Sequence, residues 1–335
     1  MEKHLDFIKN TTQLEDFKIL PLAGDASSRS YYRVVDGNQS YILMSWEPFK
    51  PEDYPFIQVT ELFKNHGVNV PEIISVRGDD GLMLLEDLGD LTLERKFWEF
   101  QDDSLATPYY ENALNELIKI QFNTQKESLK TSCAFTTKFD AAKFMWEFNY
   151  TLKYLIQGIL KFEMPAELKQ AVTDDFNNIA STLASHSTHV AHRDYHSRNL
   201  MIKLGEIKVI DYQDARLGPL QYDLVSLIHD SYVNLSPKNK LHLINFYKNK
   251  IKGLYANFHS DEFDQIFKIQ TIQRCFKACG SFASFYCTRN DTRYLKYIEK
   301  TIQIVSEELT ELNEYNSMLK LLSESNALNF KYEKL

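Results

Sequence analysis

The stretch His192-Arg193-Asp194-Tyr195-His196-Ser197-Arg198-Asn199 puts an aspartate and an asparagine at fixed spacing, and Ile207-Lys208-Val209-Ile210-Asp211 then delivers a second aspartate. Between them lies an apolar hairpin, Leu200-Met201-Ile202, turning at Gly205. The pattern His-x-Asp-x-x-x-x-Asn, hairpin, Asp is a layout used for phosphoryl transfer. That chemistry needs a carboxylate to orient and deprotonate an attacking hydroxyl, a role Asp194 can fill. It also needs oxygen ligands for the Mg²⁺ that offsets charge on the phosphates of ATP, and Asn199 and Asp211 can supply them. Singly, Asp194 reads as a loop carboxylate, Asn199 as a turn residue and Asp211 as a strand end; the joint spacing carries the argument. His192, Asp194 and His196 also alternate as metal ligands on a strand would. Arg193 and Arg198 beside them are poor company for a cation.

Elements on both sides must position these groups. Residues 2–10 read as a short helix. Strand-like runs follow at Phe17 to Leu22, Ser30 to Val35 and Tyr41 to Ser45, the last two joined by the hairpin signal Asp36-Gly37-Asn38. Residues 53–66 read as a helix closed by Gly67. Two more apolar runs, Glu72 to Val76 and Leu82 to Glu86, flank the turn Gly78-Asp79-Asp80-Gly81. Beyond Asp90 helical periods dominate, over 104–124, 140–160, 165–185, 222–232, 237–256, 261–279 and 292–322, interrupted by one β-type island, Thr188 to Asp211. The texture change near Asp87 to Asp90 divides the chain into residues 1–88 and 89–335.

Composition excludes several classes. The chain has 335 residues, 38 Lys plus Arg against 46 Asp plus Glu, and a formal net charge of −8. A binder of nucleic acid or anionic membrane wants a basic face instead. Hydrophobic residues at 44% and charged residues at 25% are ordinary for a globular protein. No apolar run is long enough to span a membrane, and the start Met1-Glu2-Lys3-His4 lacks a signal-peptide core. Cys133 stands alone, while Cys275, Cys279 and Cys287 cluster without a Cys-x-x-Cys pair. They read as small core residues of a cytoplasmic protein. The sequence carries no signal for oligomeric state.

The segment from His192 to Asp223 resembles the aminoglycoside phosphotransferase and choline kinase superfamily. The resemblance implies an α+β, protein-kinase-like fold of two lobes. A small antiparallel β lobe over 1–88 would bind nucleotide, and a larger, mostly helical lobe over 89–335 would carry catalysis and the acceptor. It implies Asp194 as catalytic base and Asn199 and Asp211 as Mg²⁺ ligands. Asp223, in Tyr222-Asp223-Leu224 after the Gly218-Pro219 turn, would buttress the catalytic loop together with His192. Further blocks at Leu22 to Val34, Asn69 to Ile73, Leu84 to Asp90 and Cys275 to Leu295 resemble one branch. These are the bacterial kinases that phosphorylate the anomeric hydroxyl of N-acetylmuramate and N-acetylglucosamine in peptidoglycan recycling. The implied activity is transfer from ATP to an amino-sugar hydroxyl. Aminoglycosides, choline or another sugar are the alternatives within the superfamily, and a non-catalytic nucleotide-binding protein is the alternative outside it.

The nucleotide side departs from the family pattern. Gly24-Asp25-Ala26-Ser27-Ser28-Arg29 occupies the phosphate-covering loop without being glycine-rich, so Ser27, Ser28 and Arg29 would stand in with side-chain donors. Met44 stands where the third strand of such folds carries a phosphate-binding lysine, and Phe56 lies near the place of its glutamate partner. Arg29, Arg33 or Lys50 could compensate. Glu86 to Leu88 resembles the hinge whose backbone pairs with adenine. On the acceptor side, His196, Arg198, Tyr212, Asp214 and Arg274 are candidates for sugar contacts, although Arg274 beside Lys277 also reads as a solvated helix face.

Overall fold

The computed structural model describes residues 2–12, 14–22, 29–37, 39–100, 102–128, 130–255 and 258–335. The proposed phosphate-loop donors Ser27 and Ser28 lie outside the described residues. Helix α1 (Glu2–Thr12) precedes strands β1 (Lys18–Leu22), β2 (Ser30–Asp36) and β3 (Gln39–Ser45). Helix α2 (Pro55–Asn65) leads to β4 (Ile73–Arg77) and β5 (Leu82–Glu86). The strands form one antiparallel sheet in the order β1-β2-β3-β5-β4.

Strand periodicity explains how this sheet is covered. Along β3 and β5, Leu43, Leu82 and Leu84 join Phe7 and Ile8 of α1 in one apolar cluster. Their neighbours Met44, Met83 and Leu85 join Tyr54, Phe56 and Val59 in another. Alternate residues point to opposite faces, so a strand buried on both faces is apolar without interruption, as Leu82-Met83-Leu84-Leu85 is.

The rest of the chain is mostly helical: α3 (Leu93–Glu99), α4 (Thr107–Ile118), α5 (Cys133–Thr136), α6 (Ala141–Thr151) and α7 (Ala166–Ser185). Strands β6 (Ser187–Ala191), β7 (Leu200–Lys203), β8 (Glu206–Val209) and β9 (Arg216–Pro219) follow. Helices α8 (Gln221–Ile228), α9 (Pro237–Ile251), α10 (Ser260–Arg289), α11 (Ile298–Leu312) and α12 (Asn316–Glu324) complete the fold. Strands β7 and β8 are the expected hairpin, and β6 pairs with β9. Both π-helical turns, 119–123 and 152–159, extend a preceding α-helix.

Two differences from the periodicity reading have local causes. Helix α10 runs through Gly280, where the apolar pattern suggests an end at 279. A Cβ at 280 would meet Thr151 Oγ1 at 2.3 Å and Thr151 Cα at 2.7 Å. Glycine here permits close approach of α6 and is no helix stop. The stretch 292–322 is two helices instead of one, because Asn313 adopts a left-handed φ of 53° and closes α11. Among the described residues no helix is long and apolar enough to cross a membrane. The four cysteines are free thiols, with Cys275 and Cys279 buried.

Candidate active site

The loop between β6 and β7 and the residues just after β8 are tied into one unit. Asp223 is fully buried at the start of α8, and its carboxylate accepts from the backbone N–H of His192 at 2.6 Å and of Arg193 at 3.0 Å. Burial pushes the Asp223 carboxyl up to about 6, against the pull of the two backbone N–H donors. His192 Nε2–H donates to the Ile210 carbonyl at 2.9 Å, and its Nδ1 accepts from the Asp194 N–H at 3.3 Å. That pattern suits the neutral tautomer protonated on Nε2. One imidazole therefore spans the loop carrying Asp194 and the strand end carrying Asp211.

Asn199 closes the unit. Its Nδ2 donates to the Asp194 carbonyl at 2.9 Å and to Asp211 Oδ2 at 3.3 Å, and Gln213 Nε2 donates to Asp211 Oδ1 at 2.9 Å. Backbone strain flanks these groups: Arg193 has φ 87° and Asp211 φ 65°, in the left-handed region that non-glycine residues seldom adopt. With both amide hydrogens engaged, the Asn199 side-chain oxygen and the Asp211 carboxylate form a set of hard oxygen donors. One carboxylate with a neutral oxygen beside it fits Mg²⁺, which keeps positions for water and phosphate.

Asp194 faces a pocket between the β6–β7 loop and helices α8 and α10. Arg274 and Lys277 from α10 approach Asp194 Oδ1 at 3.7 and 3.6 Å. Burial would raise the Asp194 carboxyl, but Lys277, Arg274 and Arg193 outweigh it and hold it well below the usual carboxylate range. The carboxylate keeps 32% of its side-chain surface exposed, so a ligand can reach it. Arg274 itself is only 9% exposed and donates from Nε to Ser226 Oγ at 2.8 Å. The solvated-face reading of Arg274 and Lys277 is thus overturned: i and i+3 share one helix face, and here that face turns inward.

The other acceptor candidates separate. His196 lines the pocket, its ring edge against Tyr232, and burial lowers its basicity. Arg198 makes a two-pronged ion pair with Glu94, both bonds 2.9 Å, and stacks on Tyr232 at 3.7 Å. Its fork is spent on α3 and cannot also grip a substrate carboxylate. Tyr212 is fully buried, stacks on Phe56 and shares a 2.8 Å hydrogen bond with Thr60, so it is packed in the core that joins α2 to the site. Asp214 pairs with Arg193 at 2.8 Å and with Arg216 at 3.8 Å, outside the pocket lining. Glu94 and Asp230 escaped the sequence reading. Asp230 accepts from the Ser197 and Tyr232 backbone N–H groups, both at 2.8 Å.

On the nucleotide side, Met44 is 1% exposed and its sulfur accepts from the Tyr54 hydroxyl at 3.7 Å. Phe56 is buried too. Arg33 contacts Asp87 at 2.8 Å and Asp90 at 2.9 Å, tying β2 to the segment after β5. Glu86 pairs with Lys203 at 2.7 Å, and the same ammonium donates to the Asp87 carbonyl at 2.8 Å. Leu88 is buried in this segment.

Residues 18–250 match the phosphotransferase enzyme family. An N-acetylmuramate/N-acetylglucosamine kinase of Neisseria meningitidis serogroup B is 29% identical over 283 residues, 83% of this chain and 82% of that protein. A protein of the same name from Pseudomonas aeruginosa is 28% identical over 308 residues, covering 89% and 87%. Among solved structures, the choline kinase of Cryptosporidium parvum superposes with a TM-score of 0.63 at 10% identity, covering 98% of this chain and 99% of that one. An ADP-bound aminoglycoside phosphotransferase gives 0.59 at 14% identity, with coverage of 98% and 99%. These likenesses establish a kinase-like fold, with its antiparallel sheet followed by a helical region.

Proposed function

The chain belongs to the phosphotransferase enzyme family, and from that premise we propose that it transfers the γ-phosphoryl group of ATP to an amino-sugar hydroxyl, the anomeric one of N-acetylmuramate or N-acetylglucosamine. The observation that carries this reading is that Asn199, bonded to the Asp194 backbone carbonyl and to the Asp211 carboxylate, ties together the residues flanking one hairpin, with Asp194 opening onto a pocket lined by Arg274 and Lys277. Asp194 orients the hydroxyl and takes its proton as the oxygen bonds to the γ-phosphorus and the bond to ADP breaks. Asp211 and Asn199 would hold Mg²⁺, which when bound offsets the phosphate charge. Asp223 and His192 keep the loop and the strand end in register and touch no substrate.

The cations beside Asp194 separate acceptor classes. Choline and aminoglycosides carry positive charge and would meet Arg274 and Lys277 at the reacting end. N-acetylated sugars bring no such charge, and the lactyl carboxylate of N-acetylmuramate would find a partner there. The buried Met44 favours a second reading, a protein that binds nucleotide without turnover.

The test is incubation with ATP and, separately, N-acetylmuramate, N-acetylglucosamine, choline and an aminoglycoside, with the phosphate located by NMR. The expected product is a sugar 1-phosphate, and Asp194→Asn should lower kcat by about 10²–10⁴-fold while Mg²⁺-ATP binding persists. Preferential turnover of choline or the aminoglycoside would overturn the sugar assignment. Nucleotide binding with no turnover of any acceptor would favour the second reading.

A further inference from the structure

Tyr232 follows the end of α8 and lines the pocket that Asp194 faces. Backbone bonds fix it from both sides: its N–H donates to Asp230 at 2.8 Å, and its carbonyl accepts from the Trp98 indole N–H at 3.2 Å. The ring is held as closely. The Arg198 guanidinium lies 3.7 Å from the ring centre, and the ring centres of His196, Phe282 and Tyr297 lie at 5.3, 6.1 and 5.0 Å. Arg198 is itself immobilised, since Glu94 takes both prongs of its fork at 2.9 Å and the Tyr297 hydroxyl accepts from its Nη2 at 3.2 Å.

The phenol of Tyr232, by contrast, has no hydrogen-bond partner among the described residues, and its oxygen is not sealed in the core. Burial raises it above the ordinary phenol range despite the Arg198 charge, so it is a neutral O–H donor. A tyrosine ring costs little entropy to hold, and its hydroxyl usually finds a partner when drawn into a protein. Here that partner must come from outside the chain. Its position narrows the choice. Phe282, against which the ring packs, stands beyond Lys277 on α10, about 7.5 Å further along the axis at the helical rise of about 1.5 Å per residue. That is the scale of one pyranose ring with its hydroxyls.

We propose that Tyr232 is an acceptor-binding residue whose phenol hydrogen-bonds a hydroxyl on the side of the sugar ring opposite the reacting one, and that Arg198 and Glu94 are positioning residues that hold it there. Arg198 belongs to the loop that carries Asp194 and Asn199, so one loop sets both the reacting end and the far end of the acceptor. Choline, whose one hydroxyl is the reacting one, has nothing to offer the phenol. An acceptor without a polar group there leaves the donor unpaired and is discriminated against for that reason. The inference rests on the amino-sugar kinase reading above.

The experiment measures kcat/KM of the full chain for N-acetylglucosamine and its 4-deoxy and 6-deoxy analogues, with Mg²⁺-ATP affinity by calorimetry, for the wild type, Tyr232→Phe, Arg198→Met and Arg198→Lys. The wild type should favour the parent sugar over one deoxy analogue by about 3–10-fold, the worth of one neutral hydrogen bond. Tyr232→Phe should lose that factor on the parent sugar and nothing further on that analogue, with Mg²⁺-ATP affinity unchanged. Arg198→Met should also bring the ratio towards one, and Arg198→Lys, which keeps a cation over the ring, should restore part of it. A ratio that Tyr232→Phe leaves unchanged for both analogues, or a parallel loss of Mg²⁺-ATP affinity, would overturn the assignment alone. An Arg198→Met variant that keeps the ratio would overturn its positioning role. A wild type that phosphorylates none of the three sugars would overturn the amino-sugar reading and this inference with it.

Discussion

Asp194 sits 3.6 Å from the Lys277 ammonium and 3.7 Å from the Arg274 guanidinium, so its carboxyl stays ionised across the physiological range. In the role of base proposed above, a carboxylate held this far down is a weak proton acceptor. It suits a reaction in which bond breaking to ADP runs ahead of proton transfer. Removing one cation must raise the carboxyl, since an opposite charge favours the ionised form. In Lys277→Met the acid limb of the kcat/KM profile should therefore move up by about 1–3 pH units relative to the wild type. A profile that stays in place would separate Lys277 from the ionisation of Asp194. The motif residues were legible from spacing because they are near neighbours in the chain. Arginine roles were not. Arg198, inside the motif, is neutralised by Glu94 from 104 residues away, whereas Arg274, outside it, reaches the site.

Helix α10 runs from Ser260 to Arg289 and carries the pocket's cations on one turn and a close approach to α6 on the next. Alanine at 280 gains helix propensity, about 1 kcal/mol over glycine. Its Cβ would nevertheless have to displace Thr151 on α6, whose backbone cannot swing aside as a flexible side-chain tip can. Gly280→Ala should lower unfolding stability by about 1–3 kcal/mol, the usual cost of overpacking, as read from urea midpoints. A midpoint equal to or above the wild type would mean that α6 yields freely. Periodicity located this helix but not its end, since glycine inside a helix and glycine after one look the same in sequence. The five strands of the sheet were legible because alternation and turn residues are local signals, whereas their order, which sets β5 beside β3, came only from the fold.

Contacts across the whole molecule meet at the segment Glu86 to Asp90. Arg33 holds it from β2, and Lys203 holds it from β7, on the same hairpin that carries Asn199 towards Asp211. One apolar cluster also runs from Met44 and Val59 through Tyr212 to Leu224, so the sheet and the catalytic loop share a core. Ligand binding to such a unit should stabilise the entire fold. At a hundredfold excess over Kd, Mg²⁺-ATP should add about 2.7 kcal/mol to unfolding stability. Chelation with EDTA, or Asp211→Asn, should remove most of that gain while leaving the melting temperature without nucleotide nearly unchanged. Equal stabilisation by ATP with and without Mg²⁺ would exclude Asp211 from metal binding.

By itself the sequence determined the reaction class, the alternating sheet, the helical remainder and the three motif residues on their hairpin. All of these are written in spacings of a few residues, where chain geometry alone sets which side chains meet. Tertiary structure decided which cations remain available to a substrate, that the Arg274 face turns inward, and that position 44 is sealed beneath Tyr54. Those outcomes depend on charges and rings brought together from distant parts of the chain, and burial then fixes how strongly each is felt.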